Sequence, residues 1–229
     1  MDDNKQNEVD VNSKEIKDEA KNTFDDVKDT IKNVKFQSDA KETTNFVSRI
    51  FKDPLGIIKK TADDKGNANL KHAILLVCLW LIAILITSIY YEVGMKFISA
   101  GTHFLNVIKR LIEPIIGLGA MSLIVLLNQK DSKKSLTTTF TTVTIASIPT
   151  ILISVVEILG IFSTQFSYIL TPLKSFASAV TIAFVYFAAK SLVNEQENSK
   201  FIKTFIRIQL IYFVCYFVFQ FLGIYLPML

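Results

Sequence analysis

The chain has 229 residues, half of them hydrophobic, with 18 phenylalanines and a mean hydropathy of +0.37. Its charge is divided: residues 1–43 hold 8 Lys against 12 Asp or Glu, and residues 44–229 hold 17 Lys or Arg against 9 acids. A hydrophilic tail ahead of a long apolar body is not the pattern of a soluble domain, and two histidines and two cysteines without metal-ligand spacing offer no metal centre.

The tail opens with "MDDNKQNE", acidic and polar, so no cleavable signal peptide is expected. Ile16, Ala20, Phe24, Val27, Ile31 and Val34 recur at helical spacing and predict a helix over residues 13–35 with a narrow apolar stripe. Asn12 and Glu15 fit a capping box at its start. Such a helix is either a marginal charged arm or a docking surface, for a partner protein or for the protein's own body. Residues 44–70 differ. In "TTNFVSRIFKDPLGIIKK", Phe46, Val47, Ile50 and Phe51 form an apolar face beside Arg49 and Lys52. Asp53 followed by Pro54 reads as an N-cap and first helical position, with Leu55 and Ile58 inward and Lys59 and Lys60 nearby. Apolar side chains among cations, just before a span, predict that residues 46–60 lie against the headgroups of an anionic lipid leaflet. The alternative is a linker packed on the helix bundle.

Five apolar runs then meet the roughly 20-residue requirement of a hydrocarbon core about 30 Å thick. They cover residues 72–91, 108–128, 137–162, 173–192 and 205–226. The predicted fold is an all-α polytopic transmembrane helix bundle with five spans over residues 71–229, in contact with the lipid bilayer. Residues 93–108 are a loop, or a re-entrant or interfacial helix. With the N-terminus inside, residues 44–71, 130–134 and 190–207 carry 13 cations, leaving Lys96, Lys109, Arg110 and Lys174 outside. The positive-inside rule therefore predicts a multi-pass cell-membrane protein with a cytoplasmic N-terminus and an external C-terminus.

Polar residues within the spans bear on function. In the third span, Thr137, Thr138, Thr139, Thr141, Thr142 and Thr144 can return hydroxyl bonds to carbonyls one turn back. Pro149 should bend the same span, as a hinge or as a packing kink. Glu157 lies near the outer end of that span, with Lys174 across the following loop as its candidate partner. Glu113 follows Lys109 by four positions and Arg110 by three, so local pairing is expected. Ser175, Ala179 and Ala183, and Gly117, Gly119 and Ala120, predict small-residue packing faces. His72 and His103 flank spans on opposite sides. No phosphate loop, dinucleotide fingerprint, zinc-protease motif or nucleophilic triad is present. A non-enzymatic protein is expected, without catalytic residues, cofactor, metal or nucleic-acid partner.

A hydrophilic tail, the short element "FKDPLGIIKK" and five spans form a layout that resembles the Yip1 family of integral membrane proteins, particularly its bacterial members, over residues 46–229. The resemblance implies an integral protein of a bacterial inner membrane. The trafficking role and GTPase contact of the eukaryotic branch do not carry over, because the DLYGP-type motif is missing. Two functions stay open. One is a scaffold, organiser or accessory subunit acting through helix packing and its cytosolic arm. The other is a small oligomeric transporter or channel, with Pro149 as hinge and Glu157 and Lys174 as polar pathway elements.

Overall fold

The computed structural model describes residues 3–64, 67–94, 100–129, 134–193, 197–227 and 229. Among the described residues the secondary structure is helical, with no strand. The first helix, α1 (Asp3–Asn33), begins nine residues before Asn12, so the expected capping box lies inside it. No glycine or proline interrupts this stretch, so nothing stops the helix from continuing upstream. The predicted stripe also divides. Thr23, Val27, Thr30 and Val34 turn half-buried toward the body, whereas Phe24 and Ile31 are exposed.

α2 (Phe36–Lys52) and α3 (Pro54–Asp63) are separated by Asp53, whose carboxylate accepts the Gly56 amide at 2.9 Å, as its N-cap position requires. The expected headgroup-facing element is only partly that. Phe46 and Ile50, one turn apart, and Ile58 and Ala62, one turn apart, are buried in the bundle core, with α3 packed against α6 (Leu136–Ala146) and α8 (Thr164–Val193). Phe51 and Leu55 sit on other faces and stay exposed, beside Lys52 and Lys59. The start of α4 (Leu70–Gly94) anchors this region: the His72 ring stacks on Phe46 with centroids 4.5 Å apart, and its Nδ1 lies 2.9 Å from the Thr43 hydroxyl. Lys71 reaches Asp39 at 3.2 Å and Glu42 at 2.7 Å.

Among the described residues, four helices are long and apolar enough to cross a membrane: α4, α5 (Ala100–Leu127), α8 and α9 (Asn198–Phe221). α5 takes in residues 100–107 of the stretch expected to be separate, while residues 95–99 lie outside the described residues. The threonine-rich span is two helices, α6 (Leu136–Ala146) and α7 (Ile148–Gly160), bent by 52°. The break falls at Ser147, placing Pro149 in the first turn of α7, where its missing N–H leaves no bond unmade. Contacts of the pair climb α4 from end to end. Thr138 meets Asn67 at 3.2 Å, and Ser154 meets Trp80 at 3.0 Å. Glu157 opens on the same space as Glu92. The two halves thus lie at successive levels along the α4 side of the bundle.

α6 is sheathed by its neighbours, and its threonine hydroxyls stay inside: Thr139, Thr141 and Thr142 bond carbonyls one turn back at 2.7–3.0 Å. The Thr137 hydroxyl lies 3.1 Å from both the Asp26 carboxylate and the Thr23 hydroxyl, docking α1 on the protein's own body. On α8 the expected small-residue face is displaced. Ser175, Ala179 and Ala183 are exposed, and the packing face is Ala177, Thr181, Val185 and Ala188, set by contacts such as Thr181 to Thr150 at 2.8 Å.

The last span begins and ends earlier than expected. α9 stops at Phe221, where the Gly223 amide bonds the Gln220 carbonyl and the Ile224 amide bonds the Phe219 carbonyl, both at 2.9 Å. This is the Schellman arrangement, and it needs Gly223 at φ +72°. The chain turns back, the Tyr212 hydroxyl donates to the Pro227 carbonyl at 2.6 Å, and Leu226 and Leu229 are buried.

Candidate functional site

Three helices present polar residues at helical spacing toward one another. On α4 the face runs through Trp80, Thr87, Ser88 and Glu92; on α5 through Asn106, Arg110 and Glu113; on α7 through Thr150, Ser154 and Glu157. Between them lies a cavity of about 620 Å³, at the end of the bundle opposite α1–α3. That is within the usual range of small-molecule sites. The returning C-terminal segment forms part of its wall through Gly223, Tyr225 and Pro227.

Burial and bonding grade the cavity. Toward the middle of the bundle it is lined by hydroxyls. The Trp80 indole donates to Ser154, and Ser154 donates in turn to the Thr150 carbonyl at 3.1 Å. Thr87 bonds the Ala83 carbonyl at 3.0 Å. The Ser88 hydroxyl, in a residue 1% exposed, has no protein partner. Toward the end of the bundle the lining is charged. Glu92, only 4% exposed, takes the His103 ring at 2.5 Å and the Asn106 amide at 3.4 Å. Glu157 and Lys174 form an ion pair. Glu113 accepts the Tyr225 backbone amide at 2.9 Å, 112 positions along the chain, instead of serving only its neighbours Lys109 and Arg110.

All three charged residues singled out by sequence therefore meet in one cavity, and Pro149 opens the helix that carries two of its hydroxyls and one of its carboxylates. Sequence reasoning missed Glu92, His103 and Trp80. Glu92 follows the tyrosines that close the first span and reads as a solvated rim residue, yet Trp80, Ile84, Ser88 and Glu92 repeat every four positions along one face. Among the described residues no cluster of three or more His, Cys, Asp or Glu is placed to hold a metal ion. The chain matches no protein-family model, no curated protein and no solved structure.

Proposed function

We propose that this multi-pass membrane protein is a carrier for a small polar solute, not an enzyme, with the cavity as its binding site and the break at Ser147 and Pro149 as its hinge. The observation that carries this reading is the convergence of six ionisable side chains, Glu92, Lys109, Arg110, Glu113, Glu157 and Lys174, on one cavity between apolar helices. An ionisable group costs about 2.5–3.5 kcal/mol at the centre of a bilayer, so groups gathered inside a helix bundle mark a polar path by default. The cation distribution supports a cytoplasmic α1 side and an outward-facing cavity. Exposed Phe51 and Leu55, with Lys52 and Lys59 beside them, suit contact with anionic lipid on the cytoplasmic side. A Yip1-like protein of a bacterial inner membrane is consistent with this layout.

The test is uptake by proteoliposomes offered labelled glutamate, phosphate, glucose and choline in turn. Saturable uptake of at least one, reduced tenfold or more by Glu157→Gln, is the expected result. No uptake of any class above protein-free vesicles defeats the carrier reading. One observation favours a second reading, the scaffold: Phe24 is 67% exposed and Ile31 54% exposed on α1, leaving an apolar edge for a partner. Crosslinking from position 24 to one discrete protein, with no uptake, would select it.

A further inference from the structure

The donors and acceptors of the cavity are not balanced. Each carboxylate already has a donor: Glu157 has Lys174, Glu92 has His103 and Asn106, and Glu113 has the Tyr225 amide. Lys109 and Arg110 also line the cavity, and neither makes an ion pair with a carboxylate among the described residues. Their charge is felt by Glu113 on the same helix face and, for Arg110, by Glu92 on α4, but neither cation is taken up in a direct ion pair there. Deeper in, the buried Ser88 hydroxyl lacks a protein partner. Leaving a buried hydroxyl unpaired is costly, so the arrangement calls for an occupant that bonds there. What the cavity lacks is an acceptor-rich group between Lys109 and Arg110, joined to a polar body that reaches Ser88.

We infer that the cavity recognises an oxyanion, a carboxylate or phosphate, held by Lys109 and Arg110, with the rest of the solute hydrogen-bonded at Ser88. Arg110 supplies the planar fork that suits either anion, and Lys109 adds a mobile point charge. The volume of about 620 Å³ leaves room beyond the anion for a body of several more heavy atoms. The inference rests on the carrier reading and adds its substrate class. The oxyanion can belong to a free solute or to a lipid headgroup inserted from the outer leaflet, since both present the same chemistry to the same two cations.

Trp80 is the single tryptophan and lines this cavity, so its fluorescence reports occupancy in the intact chain. The protein in a maltoside detergent, which carries no phosphate, is titrated with inorganic phosphate, glycerol 3-phosphate, glutamate, choline and glucose. Short-chain phosphatidylglycerol is titrated in a separate arm. Saturable change is expected with the oxyanions and not with choline or glucose. Response to the free anions identifies a soluble ligand, and response to the lipid alone identifies a headgroup; both support the inference. Lys109→Gln combined with Arg110→Gln should weaken binding at least tenfold. Lys203→Gln, an exposed cation on α9 outside the cavity, should leave it unchanged. Ser88→Ala should weaken binding severalfold without lowering the melting temperature of the unliganded protein, because the hydroxyl it removes bonds nothing in the protein. Binding of choline or glucose with the oxyanions silent overturns the inference and leaves the carrier reading in place. Oxyanion binding undiminished in the double variant also overturns it. Silence from every probe, together with no uptake, removes both.

Discussion

Gly117 and Gly119 stand two positions apart on α5, and an added methyl group would meet different surroundings at each. At Gly117 a Cβ would fall 2.5 Å from Pro227 Cδ and 2.7 Å from its Cγ, so the returning tail must move. At Gly119 it meets nothing within 4 Å. Gly117→Ala should cost about 1–3 kcal/mol by overpacking, and Gly119→Ala should be neutral or slightly stabilising. Thermal melts in detergent read the difference; equal melting temperatures would mean the tail does not pack there. Asp39 supports a second measurement. The Lys35 amide at 2.8 Å, and after it Lys71, hold its carboxyl below the usual value of 3.8. A depressed carboxyl stabilises the fold fully above its unfolded value and loses that contribution as pH falls through the folded one. Below about pH 4, the protection of the amides of residues 36–45 relative to their intrinsic exchange rates should therefore fall, and Asp39→Asn should remove that pH dependence. At this scale the sequence was most legible where charges were scarce. Glu157 and Lys174 could be paired because few other ions lie near them, whereas Glu92 was hidden by the tyrosines before it. Side-chain exposure on α8 was illegible because a four-residue repeat of small residues names a face without saying which way it turns.

The helix break was readable from Pro149, but its position was not: it lies at Ser147, since proline prefers the first turn of the following helix. Pro149→Ala restores an amide that can reach the Ile145 carbonyl, so α6 and α7 should straighten from their 52° bend. At 1.5 Å per residue, spin labels at positions 136 and 160 should separate by about 4 Å more. An unchanged distance would mean that tertiary contacts alone hold the bend. The end of α9 illustrates the reverse problem. Gly223 and Pro227 are sound stop signals, but the aromatic run through Tyr225 carried the apolar window past them. The pre-membrane element could not be resolved by composition either. Phe46 and Ile50 find a groove between helices that lie far ahead in the chain, and only tertiary structure reveals that groove.

Taken as a whole, the bundle has two unlike ends: an apolar core closed by α2 and α3, and a charged cavity closed in part by the tail. Counting the bent pair as one crossing beside the four candidate spans gives an odd number, and on that count the two ends of α6–α7 should face different compartments. Lys134→Cys and Ser163→Cys, tested one at a time with a membrane-impermeant maleimide on intact cells, should react only at position 163. Reaction at both would turn the pair into a re-entrant loop with the N-terminal arm outside, and reaction at neither would turn it into a re-entrant loop with the C-terminal tail inside.

The sheathing of α6 bears on how the protein is made. Nine of its eleven residues are buried, six of them threonines, and its wrapping includes α8, which is synthesised later. This half-helix gains little by entering lipid alone. Its settling should therefore follow the emergence of α8 from the ribosome, and a chain truncated between them should hold this segment less firmly, read as faster degradation than the full chain.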